Sequence, residues 1–211
     1  MEVETQLACS FAAENGFLVE ADVSFGEWRG QEAGLVIGAE HMVEFFEEEA
    51  LVGKITVPPA FGLVPVVRRW PIVNLHSDTT GNFREAIEFD QATPLEYLDR
   101  WSANNQIFSD DVKLRSVIRW RDGAVSFSIT QPQYPKQAAS HWEIERYFEQ
   151  SGWTRIANEG HTIFFNYAHQ TLAIDALPRN CYMSEHGLQP FDVILCHPSA
   201  ELETFLRLYP G

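Results

Sequence analysis

Positive charge is scarce in this sequence. Its 211 residues include 15 lysines and arginines against 30 aspartates and glutamates, so the formal net charge is −15 at pH 7. Phosphate backbones and anionic membrane surfaces repel such a chain. We therefore expect no direct nucleic-acid partner and no membrane association.

Cysteines are few, and long apolar runs are missing. The three cysteines, Cys9, Cys181 and Cys196, form no CxxC pair, and an odd number does not suit a disulfide framework. No segment approaches the roughly 18 consecutive apolar residues of a membrane-spanning helix, and the N-terminus lacks the basic and apolar parts of a secretion signal. We expect a cytoplasmic protein in a reducing compartment.

The residues that are present indicate a folded domain. Hydrophobic residues make up 45% of the chain and aromatic residues 13%, which is enough for a sizeable core. The length suits one domain over residues 1–211, with room for two lobes. We find no internal repeat and no flexible linker.

Hydrophobic spacing predicts short helices and hairpins. Apolar residues at helical spacing predict helices over residues 4–14 and 200–208. Short apolar runs separated by polar turns predict hairpins over residues 42–57 and 112–130. Several prolines within residues 58–92 predict short edge strands alternating with loops. Helices and antiparallel hairpins together indicate the α+β class.

Two capping boxes mark further helix starts. Thr93 is followed by Pro94 and, three residues after Thr93, by Glu96, which predicts a helix to about residue 108. Ser140 and Glu143 have the same spacing and predict a helix that ends near residue 151.

Three polar residues near the C-terminal end could hold a metal ion. Asp175 follows an apolar strand, Asn180 comes five residues later, and Asp192 ends a returning strand. Phosphoryl transfer requires hard oxygen ligands for Mg²⁺ and an acceptor for the attacking hydroxyl. A strand, a loop and a second strand can bring all three side chains to one point.

A lysine in an apolar strand adds a cation to this candidate site. Lys54 lies between apolar residues, and lysine is seldom buried without a partner. Its alternative role is that of an edge-strand lysine, which prevents aggregation. Upstream, Gly38 would let the backbone approach a phosphate group.

These segments resemble the protein-kinase fold, and most closely the small kinase-like domains in polyvalent proteins of phages and mobile elements. Gly38, Ala39, Glu40 and His41 resemble the phosphate-covering loop, and Lys54 resembles the lysine of the following strand. The segment from Asp175 through Asn180 to Asp192 resembles the catalytic loop and the metal-binding strand. Gln131, before Pro132, resembles the start of the adenine-binding hinge. The resemblance runs from about residue 34 to residue 195.

The resemblance implies a reduced kinase-like fold, with an N-lobe over about residues 1–130 and a shortened C-lobe over about residues 131–211. It also implies an ATP- and Mg²⁺-dependent phosphotransferase. In that scheme Asp175 accepts or orients the acceptor hydroxyl, and Asn180 and Asp192 hold Mg²⁺. Lys54 binds phosphates with a carboxylate partner, for which the pattern nominates Glu96.

The remaining residues complete the nucleotide site that the resemblance implies. Gly38, Ala39, Glu40 and His41 would cover the phosphates, and the adenine would lie near Gln131. The acceptor substrate is not specified by the sequence.

Other interpretations of the same residues remain open. Asp175 and Asn180 are also common turn residues that bond their own backbone, and the capping box accounts for Glu96 equally well. No His-Arg pair precedes Asp175 and no glycine follows Asp192, which favours a non-catalytic module that binds a protein partner. A phage or mobile-element effector whose acidic face occupies a host nucleic-acid-binding protein is a further alternative.

Overall fold

The computed structural model describes residues 1–31, 36–71, 83–134, 137–185 and 187–209, which form an α+β fold. The described residues include five α-helices: α1 (Glu2–Glu14), α2 (Phe25–Gln31), α3 (Pro94–Phe108), α4 (His141–Gln150) and α5 (Ala200–Leu206). The strands of the first half are β1 (Leu18–Glu20), β2 (Val36–Ile37), β3 (His41–Phe46), β4 (Leu51–Thr56), β5 (Leu63–Pro71), β6 (Phe83–Gln91), β7 (Lys113–Arg119) and β8 (Val125–Pro132). Those of the second half are β9 (Thr154–Ile156), β10 (Ile163–Asn166), β11 (Thr171–Ile174), β12 (Cys181–Ser184), β13 (Gly187–Pro190) and β14 (Ile194–Cys196).

The first half of the chain forms a six-stranded sheet in the order β1-β7-β8-β4-β3-β2. β1 runs parallel to β7, and the other neighbours are antiparallel. β4 lies between β3 and β8, so Lys54 is on an interior strand. The alternative role of Lys54 as an edge-strand lysine is therefore wrong.

The second half forms a four-stranded antiparallel sheet in the order β14-β11-β10-β9. β12 and β13 form a separate hairpin between β11 and β14 in the chain. β5 and β6 form another two-stranded sheet, inserted between β4 and α3.

The structure confirms most of the elements expected from the sequence. Both capping boxes are present at α3 and α4, and the two predicted hairpins are β3-β4 and β7-β8. The prediction for residues 58–92 is wrong in its described part, because β5 and β6 pair along nine residues each. Residues 72–82 of that stretch lie outside the described part of the chain.

Helix α3 connects two hydrophobic cores. Its first half places Tyr97 and Trp101 in a core with Phe127 of β8. Its last residue, Phe108, packs in a second core with Phe148 of α4 and residues of the four-stranded sheet. The side chains of α3 between these two ends therefore lie where the two sheets meet. No helix of the described residues is both long and apolar enough to cross a membrane.

Candidate functional site

A buried cluster of charged side chains lies at this junction. The Lys54 ammonium on β4 is 3.0 Å from Oδ1 of Asp192, which lies between β13 and β14. Arg100 of α3 places Nη2 3.6 Å from the same oxygen, and its Nη1 donates to Oε2 of Glu40 at 2.5 Å. Four charges from four separate segments of the chain thus form one network.

Burial differs among the members of this network. The side chains of Lys54 and Arg100 are only 7% and 3% exposed, whereas that of Asp192 is 35% exposed. The indole ring of Trp101 lies 4.9 Å from the lysine ammonium and 5.0 Å from the guanidinium carbon, which favours both cations through its electron-rich face. Asp192 is therefore the member that a ligand can reach from solvent.

The electrostatics of the network are balanced. Burial alone would raise the pKa of the Asp192 carboxyl, but Lys54 and Arg100 outweigh it and hold that pKa below its ordinary value. Burial and then the nearby charge of Lys54 lower the pKa of His41 to about 3, so its ring is neutral at pH 7 and lies 3.0 Å from the hydroxyl of Tyr97. Two cations therefore face two carboxylates, and the histidine adds no charge.

Most groups of the turn before β3 are engaged in contacts within the protein. The Gly38 amide donates to the His41 carbonyl at 2.8 Å, which closes the turn between β2 and β3. Glu40 accepts from Arg100 and also from the Leu63 amide at 3.0 Å, and His41 is buried. Of the four residues proposed to cover phosphates, only Gly38 and Ala39 are exposed.

A glycine makes room for the Glu40 carboxylate. Gly62 has φ +106°, and a Cβ built there would lie 2.8 Å from Oε2 of Glu40 and 3.1 Å from the ring of Tyr97. Only glycine therefore fits at the position where the chain enters β5, because any side chain would strain the backbone and displace the carboxylate.

Asp175 and Asn180 form a second polar unit next to the charge cluster. Asp175 has φ 63°, and its carbonyl and Oδ2 accept from Nδ2 of Asn180 at 2.8 and 3.0 Å. Arg179 donates to both Asp175 carboxylate oxygens at 2.9 and 2.6 Å. The Asn180 carbonyl in turn accepts from the Phe191 amide at 3.0 Å, so this unit lies against the residue that precedes Asp192.

Gln131 is close to the same segment, and both hydrogens of its side-chain amide are engaged. Its amide nitrogen donates to Oδ2 of Asp110 at 2.6 Å and to the Phe191 carbonyl at 2.9 Å, and the side chain is buried. The hydroxyl of Tyr134 also donates to the Asp110 carboxylate. The Gln131 side chain therefore joins β8 to the segment before Asp192 and has no donor free for an adenine.

Glu96 does not pair with Lys54. Its carboxylate accepts from the Thr93 amide at 2.8 Å, and its own amide donates to the Thr93 hydroxyl, so it completes the N-terminal cap of α3. The expected pairing of Glu96 with Lys54 is wrong. Glu96 lies in the first turn of α3, and the residue of α3 that reaches the network is Arg100, one turn later. The sequence contains a signal for it, since Arg100 is the only basic residue of α3 and lies beside Tyr97 and Trp101.

The donor set suits Mg²⁺ only together with a phosphate ligand. The described residues contain no group of three or more His, Cys, Asp or Glu side chains that could hold a metal ion. Proteins commonly hold Mg²⁺ with one or two carboxylates plus substrate phosphates. Asp192 is suited to such a site because it is partly exposed. Asn180 is buried and its side-chain amide donates to Asp175, so its side chain belongs to the turn of Asp175 and is not directed at Asp192 by any contact of the described residues.

No protein-family model, curated protein or solved structure matches this chain.

Proposed function

We propose that this chain is a kinase-like phosphotransferase that binds a magnesium–nucleotide complex at Asp192. The observation that carries the proposal is the 3.0 Å contact between Lys54 and Asp192, two residues 138 positions apart in the sequence. Protein kinases bind nucleotide phosphates with a lysine on a strand of the N-lobe sheet and hold Mg²⁺ with an aspartate, and Lys54 and Asp192 would take these two roles.

The roles of the residues follow from their exposure and contacts. Asp192 would contribute the exposed carboxylate ligand for Mg²⁺, while nucleotide phosphates complete the coordination. Asn180 is buried and would hold Asp175 in place. Lys54 would exchange the Asp192 carboxylate for a phosphate, and Arg100 would remain as the cation beside Asp192. The bound ion would neutralise the phosphate charge during transfer.

Three further parts of the chain would contact the phosphates, the acceptor hydroxyl and the adenine. Gly38 and Ala39, which are exposed, would cover the phosphates. Asp175, held in its orientation by Arg179 and Asn180, would accept or orient the acceptor hydroxyl. The adenine would contact backbone near the end of β8 rather than the Gln131 side chain, and Glu96 has no role in this scheme.

Thermal and chemical unfolding with and without Mg-ATP test the nucleotide site. A ligand at 100 times its dissociation constant should raise the free energy of unfolding by about 2.7 kcal/mol. We expect the wild type to gain this stability only when Mg²⁺ and ATP are both present, and Asp192→Asn to lose the gain. Asp90→Asn is the matched control, since it removes the same charge from an exposed ion pair.

Asp175→Asn separates binding from transfer. This variant should keep the Mg-ATP-dependent stabilisation but lose the slow ADP formation in which water is the phosphoryl acceptor, because Asp175 acts on the acceptor and not on the nucleotide. Circular dichroism establishes that each variant is folded. If millimolar Mg-ATP does not stabilise the folded wild type, the proposal is wrong.

A non-catalytic kinase-like module that binds a protein is the second candidate function. The specific observation in its favour is that Lys54 and Arg100 already face Asp192 and Glu40, so the four charges cancel without a phosphate ligand. Its expected result is an absence of nucleotide binding in a fully folded protein.

A further inference from the structure

Helix α1 carries an apolar stripe that no described residue covers. Val3, Leu7 and Phe11 are spaced four residues apart and therefore lie on one face of the helix. Their side chains are 69%, 64% and 60% exposed, and Phe11 makes an edge contact with Phe17. The opposite face, with Cys9 and Ala12, is the one that packs on the core.

The start of α3 contacts α1 beside the stripe. The Leu95 amide donates to Oε2 of Glu4 at 3.1 Å, and Glu4 precedes Leu7 by three residues, so it lies beside the stripe. Leu95 itself is 56% exposed. Leu95 is therefore a fourth exposed apolar residue, located where α3 begins against α1.

The charge around the stripe is negative. Glu4 and Glu14 lie at its two ends, and α1 contains no lysine, arginine or histidine. Hydrogen bonds from the Leu95 amide and the Thr93 side chain hold the pKa of Glu4 below its ordinary value, so this carboxylate stays ionised. The first basic residue of the whole chain is Arg29.

A second copy of this chain is a poor occupant for the stripe. It would bring the same acidic helix and a further net charge of −15, and like charges across an interface are unfavourable. The three side chains of the stripe also offer roughly 300 Å² of apolar surface, well below the roughly 800 Å² that each partner buries in a stable complex. The stripe therefore suits a short ligand of opposite charge.

The geometry of the stripe favours a helical ligand. Side chains at i, i+4 and i+8 form the ridge that packs into the groove of a second helix. Over eight residues this ridge is about 12 Å long, which corresponds to about two turns of the partner. Amphipathic helices commonly bind in this way, with apolar residues toward the groove and charged residues at its edges.

We propose that the stripe of Val3, Leu7 and Phe11, with Leu95 beside it, is a docking site for a basic amphipathic helix of another protein. The apolar face of that helix would cover the stripe, and its lysines or arginines would face Glu4 and Glu14. The site is remote in sequence from Lys54 and Asp192, so the proposal does not depend on nucleotide binding.

Two peptide display libraries test this site. Both present amphipathic helices of about 14 residues with the same randomised apolar face; the first has lysine and arginine at the remaining positions and the second has glutamate. The full chain is the target, and Leu7→Gln/Phe11→Gln serves for counter-selection, since glutamine keeps helix propensity. Trp142→Gln, at an equally exposed apolar position on α4, is the control.

The expected result is enrichment from the basic library only. Selected peptides should bind Leu7→Gln/Phe11→Gln roughly tenfold more weakly or worse, bind Trp142→Gln unchanged, and weaken on added salt. Failure of the basic library to enrich, or equal binding to Leu7→Gln/Phe11→Gln, overturns the proposal. Sedimentation that shows a dimer of the wild type, lost in the double variant, would instead assign the stripe to a second copy and would also overturn it.

Discussion

The Lys54–Asp192 ion pair permits a quantitative test of the network by a double-mutant cycle. Lys54→Met removes the ammonium but keeps most of the side-chain length, and Asp192→Asn removes the negative charge with little change of shape. The two single variants and the double variant are compared with the wild type in the absence of nucleotide and Mg²⁺. The cycle isolates the interaction between the two side chains.

The structure sets different costs for the two single variants. Asp192→Asn leaves two buried cations with Glu40 alone, so we expect a loss of about 3 kcal/mol. Lys54→Met leaves Asp192 with Arg100 at 3.6 Å and partly in solvent, which reduces the expected loss to about 1–2 kcal/mol.

The double variant should cost less than the sum of the single variants. It leaves Arg100 and Glu40 as a matched pair, so its loss should also be about 1–2 kcal/mol. The coupling energy is then about 2–4 kcal/mol.

Equilibrium unfolding in urea measures these differences, provided that the slope against denaturant is the same for all four proteins. The control cycle uses Arg68→Met and Asp90→Asn, an ion pair whose side chains are both about half exposed, and its coupling should stay below about 1 kcal/mol. If the losses of Lys54→Met and Asp192→Asn add to within about 0.5 kcal/mol, the two side chains do not interact as described and the reasoning fails.

Three further variants test single features of the site. His41 has a pKa of about 3 in the folded protein, against about 6.5 in the unfolded chain. The unfolded state therefore binds more protons below pH 6.5. As a result, the free energy of unfolding should fall by up to about 1.4 kcal/mol per pH unit from pH 6.5 to pH 5. His41→Gln should flatten this slope in urea titrations at several pH values, and an unchanged slope contradicts the buried neutral ring. Gly62→Ala should lower the free energy of unfolding by about 1–2 kcal/mol more than Gly160→Ala does. Both glycines have positive φ, but only the Cβ at position 62 meets other atoms. Equal losses in denaturant unfolding would show that the Glu40 carboxylate moves freely. Glu96→Gln should cost less than about 1 kcal/mol, since glutamine also completes a capping box, and a loss as large as that of Lys54→Met would restore Glu96 as the partner of Lys54.

Local signals in the sequence were sufficient for the starts of α3 and α4 and for the hairpins β3-β4 and β7-β8. Both capping boxes form as expected, since Ser or Thr with Glu three residues later satisfies the same two backbone amides wherever it occurs. The long pairing of β5 with β6 was missed because prolines were interpreted as strand breakers. Pro65 and Pro71 both lie in β5, a strand with a single neighbour, where a missing amide donor is tolerated.

The charge network was only partly predictable. Lys54 and Asp192 could be selected from their apolar neighbours, because a buried charge requires a partner. Their pairing with each other depends on how two sheets meet, and no local pattern encodes that. Arg100 was also missed as a member, because a helical arginine beside aromatic residues is usually one whose charged end reaches solvent.

The location of the apolar stripe on α1 also required the structure. The sequence predicts a helix from Leu7, Ala8, Phe11 and Ala12 but does not say which side of it is buried. The structure turns Ala12 into the core and leaves Leu7 and Phe11 exposed. Periodicity alone therefore identifies the helix, whereas the unpartnered surface appears only once its neighbours are placed.

The sign of the charge on α3 determines how the network is organised. A carboxylate on this helix would neutralise Lys54 directly and leave Asp192 free, whereas Arg100 adds a second buried cation next to Asp192. One carboxylate cannot compensate two buried cations, so a further anion is required, and Glu40 supplies it. Because Glu40 also accepts from the Leu63 amide, the turn before β3, the entry to β5, helix α3 and the segment of Asp192 share one set of contacts. If a ligand displaced Lys54 from Asp192, Arg100 would be the sole cationic partner of two carboxylates. The contacts that join all four segments would therefore change together.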